Sequence, residues 1–165
     1  MRSEFRITST LATFIMFMLM FAQDADGRCD SDWEHFNGSC YKYIAHTVTY
    51  PSALGTCNKE GYYLLEINSE EENTFIGDFI IRHKVRSVWQ GVNDIFAEGH
   101  WVYSRTGGNV SFTHWYTGEP NNRGNEDCAE FDTNRLWNDM ACNLLLPFIC
   151  ENNPYAKITE NVKKE

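Results

Sequence analysis

Residues 119–128 read Glu-Pro-Asn-Asn-Arg-Gly-Asn-Glu-Asp-Cys, and residues 137–142 read Trp-Asn-Asp-Met-Ala-Cys. Three clusters of side-chain oxygens stand in this segment: Glu119 with Asn121 and Asn122, Glu126 with Asp127, and Asn138 with Asp139. One such dipeptide alone is explained by Asn and Asp making local turns. Three of them around two cysteines point to a hard cation, because calcium takes about six to eight oxygens from carboxylates, amide carbonyls and water. Glu119, Asn121, Glu126, Asn138 and Asp139 make a candidate set of three carboxylates and two amides, with positions left for water or a ligand. Transition metals favour imidazole or thiolate. No CxxC pair occurs, and His35, His46, His83, His100 and His114 are scattered without HxxxH spacing.

The mixture has a chemical consequence. A hydroxyl both donates and accepts a hydrogen bond. Two adjacent sugar hydroxyls that replace water on the cation can each donate to a carboxylate and accept from an amide. A site alternating Glu and Asn satisfies a coordinated hydroxyl on both sides, whereas an all-carboxylate site does not. A bond between Cys128 and Cys142 would draw the second and third clusters together.

Outward from this segment, Gly107 to Asp127 is full of Gly, Asn, Thr and Pro. A long structureless loop inside a compact domain is usually functional. From Arg86 onward, short apolar runs (Val88–Val92, Trp101–Tyr103, Leu136–Trp137, Phe148–Cys150) alternate with turn-rich polar stretches, the pattern of strands carrying long loops. The first half reads differently. Trp33 to Tyr43 predicts a short strand pair around the turn dipeptide Asn37-Gly38, with Cys29 and Cys40 closing the small loop. Thr49 to Glu60 predicts a helix, with Thr49 as cap and Pro51 in the first turn. Tyr62 to Ile67 follows as a short strand. A second helix starts at Ser69, where Ser69 and Glu72 form an S-x-x-E capping box. Glu70, Glu71 and Glu72 sit where the helix dipole favours negative charge, and Phe75, Ile76, Phe79 and Ile80 form one apolar stripe. These glutamates therefore have a structural explanation and are not assigned to calcium. Helices first, strands and loops after, define an α+β domain.

Hydrophobic residues make up 42% of the chain and aromatic residues 15%, too much for a disordered protein. The formal net charge of -9 argues against a nucleic-acid partner, which selects a basic face. Arg2 and Arg6 precede an uncharged apolar run, Leu11 to Ala22, that is short for a membrane span and is followed by Asp24 and Asp26. This is the pattern of a secretory signal, cleaved after Ala22 or after Gly27, with a retained signal anchor as the alternative. Residues 1–22 (the end lying between 22 and 27) are thus expected to be a signal peptide, 29–151 the domain and 152–165 a polar C-terminal tail. The mature protein is expected to be secreted and extracellular, with no membrane span. In that oxidising compartment the six cysteines Cys29, Cys40, Cys57, Cys128, Cys142 and Cys150 read as three disulfides. Six cysteines allow 15 connectivities, and spacing alone does not choose. Asn37-Gly38-Ser39 and Asn109-Val110-Ser111 are N-glycosylation sequons, marking Asn37 and Asn109 as acceptors.

Glu-Pro-Asn at 119–121, Trp-Asn-Asp at 137–139 and Trp-Gln-Gly-Val at 89–92 resemble the motifs of the C-type lectin domain family, in its long form. Gln90 stands where an apolar residue is usual in that core strand. The resemblance covers Cys29 to Glu151. It implies the C-type lectin fold: two helices, two small antiparallel sheets and a long calcium-binding loop. It implies the pairs Cys29–Cys40, Cys57–Cys150 and Cys128–Cys142, a cis bond before Pro120, and calcium and sugar ligation by Glu119, Asn121, Glu126, Asn138 and Asp139. In the family, Glu-Pro-Asn goes with mannose, fucose and N-acetylglucosamine, and Gln-Pro-Asp with galactose. A second calcium site found in part of the family matches Asp94, Glu98, Asn122, Glu126 and Asp127, with Asn122 where an aspartate is common. Trp115 reads as a core residue rather than a sugar platform, and His114 as a surface residue, with contact to a ligand as its alternative.

The expected function is a calcium-dependent lectin with mannose-type preference, a recogniser of microbial or cell-surface glycans of the kind used in innate immunity. The alternative is a C-type lectin-like domain that binds a protein ligand, since fold does not fix function. No Ser/His/Asp or Cys/His arrangement stands out, so no enzyme is expected. One shallow sugar site binds weakly, and avidity needs several on one assembly. Neither heptads, nor a collagen repeat, nor a spare cysteine indicates an oligomer.

Overall fold

The computed structural model describes residues 29–153. The signal-peptide reading of residues 1–22 (or to 27) and the tail beyond Asn153 lie outside the described residues. Strands β1 (Glu34–Phe36) and β2 (Ser39–Val48) form the first hairpin. Its turn residues Asn37 (φ 45°) and Gly38 (φ 85°) are both left-handed, the geometry whose twist matches the flanking strands.

Helix α1 (Tyr50–Lys59) carries Pro51 in its first turn, where a missing N–H is no loss. The expected Thr49 side-chain cap does not form. Pro51 stands at one of the positions whose N–H a capping side chain takes, and the Thr49 hydroxyl instead donates to Ser52 Oγ at 2.9 Å. After β3 (Tyr63–Leu64) comes α2 (Glu70–Arg82), capped as predicted by Ser69, whose Oγ accepts from Glu72 N at 3.2 Å. The return bond reaches one residue further back than a capping box specifies: Glu72 Oε2 accepts from Asn68 N at 2.8 Å. Ile76, Phe79 and Ile80 are buried, and Phe75 stacks on Phe36 with ring centres 4.5 Å apart.

The remaining strands are β4 (Ser87–Asn93), β5 (Val102–Tyr103), β6 (Cys128–Asp132), β7 (Trp137–Met140) and β8 (Leu146–Asn152). One antiparallel array joins β1, β2, β8 and β3; another joins β5, β4, β6 and β7. The two sheets expected from sequence are not separate. β4 lies parallel to β8 through the Trp89/Phe148 register, giving one mixed sheet in the order β1-β2-β8-β4-β6-β7. Both residues at the join are fully buried, in the part of the core that packs under α1. Gly91 lets the Leu64–Leu65 backbone cross β4: its N–H donates to Leu65 O at 2.5 Å, and a Cβ at this position would stand 2.7 Å from Leu64 O. β8 continues to Asn152, one residue into the expected tail, because Asn152 pairs with Cys40.

The core has two parts. Ile76, Phe79, Val88, Phe131, Trp137 and Ile149 fill the space under α2. Tyr50, Ala53, Leu64, Trp89 and Phe148 fill the space under α1, around Cys57–Cys150. Cys29–Cys40 and Cys128–Cys142 complete the disulfides, so one of the 15 connectivities is realised. Gln90 is fully buried; its Nε2 donates to Glu130 O at 3.4 Å, while its Oε1 has no partner.

Candidate functional site

The long loop is pinned to β7 before it reaches the acidic cluster. Trp137 N donates to His114 O and Tyr116 N to Trp137 O, each at 2.9 Å. Trp115 sits edge-on to Trp101 and Trp137, at 4.7 and 5.5 Å, and is half-buried. His114 turns toward α2, with Nδ1 2.9 Å from Asn73 Nδ2. This docking delivers Glu119 to the side of Asn138 and Asp139. The Glu119–Pro120 bond is cis.

Asp139 anchors the cluster. Alternation along β7 turns Trp137 and Asp139 inward, and Asp139 is fully buried. Its Oδ2 accepts from Asn121 N at 2.9 Å and Asn122 N at 2.6 Å; its Oδ1 is buried with no hydrogen-bond partner. A buried carboxylate oxygen left bare is costly. Around it, Glu119 Oε2 accepts from Asn121 Nδ2, while Asn121 Oδ1 accepts from Arg123 N at 2.8 Å. Arg123 N also donates to Glu126 Oε2 at 3.1 Å. Burial raises the Glu119 carboxyl above the ordinary range, and the neighbouring Asp139 and Glu126 carboxylates raise it further. Burial and Asp139 do the same to Glu126. Asn138, on the outer side of β7, directs Nδ2 to Glu130 Oε1 at 3.4 Å.

The second predicted set is gathered as well. Asn122, in the left-handed region at φ 49°, donates through Nδ2 to Glu98 Oε2 and accepts at Oδ1 from Glu126 N at 2.7 Å. Asp94 N donates to Asp127 O at 3.1 Å, and Asp94 Oδ2 accepts from Gly99 N at 2.8 Å. Asp94 Oδ1 is buried without a partner. Burial raises the Asp94 carboxyl, as do Glu98 and Asp127, against the opposing Gly99 N–H.

Among the described residues no three His, Cys, Asp or Glu side chains group so as to hold a metal by themselves. A cation here needs the amide oxygens too. The donors are all oxygen, they crowd like charges together, and each set contains one bare buried carboxylate oxygen. That chemistry fits a hard divalent cation.

Sequence reasoning passed over a second group of acids. Glu66, Glu72 and Glu151 are buried around a polar cleft beside the first hairpin. Glu151 Oε1 accepts from Ser39 Oγ at 2.8 Å and Tyr63 OH at 2.9 Å, and its Oε2 from Glu66 N at 3.2 Å. Glu66 Oε1 accepts from Arg105 N at 2.9 Å, and Glu72 Oε1 from Tyr41 OH at 2.6 Å. The available signal was a lone Glu inside the apolar run 64–67 and another directly after Cys150. Burial pushes Glu66 up to about 7 and, with repulsion from Glu72, Glu151 up to about 8.

A raised carboxyl means the folded state holds protons that the unfolded state has lost. Its stabilising effect is complete below the unfolded value near 4.5 and fades as pH rises through the folded values. In chelator, stability should therefore fall between pH 5 and 8. Glu151→Gln should flatten that slope and stabilise the protein at pH 8 by on the order of 1–2 kcal/mol. Urea unfolding of both proteins across this range checks it, and parallel slopes would contradict it.

The Lectin C-type domain model matches residues 46–152. A perlucin-like protein of Mytilus galloprovincialis is 31% identical over 152 residues, covering 87% of this chain and 97% of the relative. Among solved structures, the carbohydrate-recognition domain of the mouse scavenger receptor C-type lectin superposes with a TM-score of 0.72 at 30% identity, covering 76% of this chain and 98% of that one. A Ca2+-dependent type II antifreeze protein matches with a TM-score of 0.68 at 28% identity, over 75% and 99%. The chain belongs to the C-type lectin domain family, a non-enzymatic carbohydrate-binding fold.

Proposed function

We propose that this protein is a secreted, calcium-dependent lectin whose loop site reads mannose-type sugars: mannose, fucose or N-acetylglucosamine. The observation that carries this reading is Asp139, buried beneath Glu119, Asn121 and Glu126 with one carboxylate oxygen bare. Glu119, Asn121, Glu126, Asn138 and Asp139 would hold the principal calcium. Asp94, Glu98, Asn122, Glu126 and Asp127 would hold a second. The principal ion, when bound, offers coordination positions to two adjacent sugar hydroxyls. Glu119 and Glu126 would accept hydrogen bonds from the hydroxyls, and the Asn121 and Asn138 amides would donate hydrogen bonds to the hydroxyl oxygens. Asp139 fixes the loop through the two backbone N–H groups it accepts. The scavenger receptor relative, described as a carbohydrate-recognition domain, supports the sugar reading.

The positive N-terminus and the apolar run Leu11–Ala22 support secretion behind a signal peptide that ends between residues 22 and 27, with 29–151 as the binding domain and 152–165 as a tail. Among the described residues no helix is long and apolar enough to cross a membrane. Asn37 and Asn109 are both exposed and are proposed as glycan acceptors.

A protein-ligand reading draws on one observation: Phe96 is 95% exposed and Ile95 50%, beside a mostly apolar cavity under α1. The two readings separate on resin. The oxidised protein should be retained by mannose-agarose in calcium, released by chelator, and pass through galactose-agarose. Measurable calcium binding with no retention on either resin would favour the protein ligand. Mannose retention in excess chelator would contradict the role of the ion.

A further inference from the structure

Asn73 lies in α2, outside both candidate cation sets, and is fully buried. Its amide ties three segments together. Oδ1 accepts from Trp137 Nε1 on β7 at 3.0 Å. Nδ2 donates to Arg135 O in the β6–β7 turn at 2.9 Å and stands 2.9 Å from His114 Nδ1 in the long loop. The first two contacts fix which way the amide points. An indole N–H only donates and a carbonyl only accepts, so Oδ1 faces Trp137 and Nδ2 faces Arg135. The second Nδ2 hydrogen is then aimed at His114 Nδ1, which takes it only as a bare ring nitrogen. The contact therefore selects a neutral imidazole with its proton on Nε2. Turning the amide over to suit a protonated ring would set N–H against the Trp137 N–H and oxygen against Arg135 O.

We propose that Asn73 and His114 are positioning residues for the loop site: the pair latches the long loop to α2 while His114 is neutral and lets it go when His114 is protonated. The consequence for the cation rests on the calcium reading above. The latch stands at the root of the segment that carries Glu119 to Asp139, because His114 O also accepts from Trp137 N and Tyr116 N donates to Trp137 O. Among the described residues, Glu70 is the charged group that faces His114. It lies three residues before Asn73, on the same side of α2, with Oε2 3.6 Å from the same Nδ1. That is beyond a hydrogen bond, but Glu70 is the partner within reach of a protonated ring. The Arg135 guanidinium turns away to Asp78 at 2.7 Å, and Phe112 sets its ring edgewise to the imidazole, centres 6.3 Å apart. Protonation thus replaces the Asn73 bond by a pair with Glu70, whose side chain is 61% exposed. An exposed pair contributes little, whereas the Asn73 N–H left behind is buried and costly to leave bare.

Hydrogen exchange in chelator tests the latch without the ion. From about pH 7.5 to about pH 5.5, a span over which histidine titrates, protection of the Tyr116 and Trp137 amides should fall about 3- to 10-fold, the loss of one hydrogen bond. His114→Asn places an acceptor oxygen the same number of bonds from the backbone as Nδ1 and does not titrate, so its protection should stay high throughout. His114→Leu offers no acceptor and should be low throughout. Leu65 N, which donates to Ile149 O in the core, reports whether each variant keeps the fold. Calcium titration at about pH 7.5 then reads the positioning role. His114→Leu should bind about 3- to 10-fold more weakly than the parent, and His114→Asn should match it. Constant protection in the parent, or an equal fall in His114→Asn, would overturn the latch. Parental calcium affinity in His114→Leu would overturn the positioning role. No calcium binding by the parent would sink the cation reading, and the exchange result alone would decide the latch.

Discussion

Asp139→Ala is expected to abolish calcium-dependent retention on mannose and to weaken calcium binding by more than about 100-fold. Asp139 is the fully buried carboxylate of its set, and its two oxygens are used differently. Oδ2 takes the N–H groups of Asn121 and Asn122; Oδ1 is bare. Alanine removes a charged donor next to Glu119 and Glu126, and it frees two backbone N–H groups at the base of the loop. Asn121 is exposed and Asn122 half-buried, so water replaces part of each lost bond; at about 0.5–1.5 kcal/mol per hydrogen bond, overall stability should also drop by about 1–3 kcal/mol. Asp139→Asn separates the two effects. Its amide oxygen can still accept from Asn121 and Asn122, so the loop keeps its seat, while the lost charge still weakens the ion. Calorimetric calcium titration of both variants, beside urea unfolding, measures the two effects independently. Glu70→Gln, on α2 and outside both candidate sets, should titrate like the parent. Parental calcium affinity in Asp139→Asn would show that this cluster is not the principal ion site.

Why that site could be read in the sequence, and its neighbourhood less well, follows from how each residue signals. The apolar stripe of α2 and the Ser69 cap are local patterns, and they fold as their spacing requires. The clusters at 119–127 and 138–139 were visible because acids and amides concentrate there, beyond what turns need. Strand β6 was not visible. Its polar members Glu130 and Asp132 break the apolar signal, and Asp132 is buried only because Tyr116 and Asn134 come to it from the loop and the following turn. The joining of the two arrays depends on Trp89 meeting Phe148 across nearly sixty residues of chain, which no local window contains. Glu66, Glu72 and Glu151 are brought together by the β3–β8 pairing and by the start of α2. Each alone looked like an ordinary acid, and Glu72 already had an explanation as a capping residue. It performs that task in shifted form while also accepting from Tyr41.

The same long-range pairing makes one disulfide count for more than the others. Cys57–Cys150 closes a separation of 93 residues, against 11 for Cys29–Cys40 and 14 for Cys128–Cys142. In the chain-entropy account the constraint on the unfolded chain grows with the logarithm of that separation. It comes to about 4.6 kcal/mol for the first bond and about 3 kcal/mol for each of the others. Domains of this size are stable by about 5–15 kcal/mol, so the double variant Cys57→Ala/Cys150→Ala should lose a large share of its stability. Cys57 and Cys150 also sit in the core between α1 and β8, among Tyr50, Leu64 and Trp89, so a packing loss adds to the entropic one. Cys29→Ala/Cys40→Ala should shift the urea midpoint less and leave calcium titration unchanged, because that loop lies at the first hairpin. Cys128→Ala/Cys142→Ala should behave in the opposite way. Its stability loss is modest, but β6 leads out of Glu126 and Asp127, and Cys142 stands two residues past the end of β7. Freeing that bond loosens the two limbs that bring Glu126 to Asp139, and calcium affinity should fall. Equal midpoint shifts in the three double variants would refute the loop-length ordering. Unchanged calcium affinity without Cys128–Cys142 would show that the β6–β7 pairing alone is enough to hold the site together.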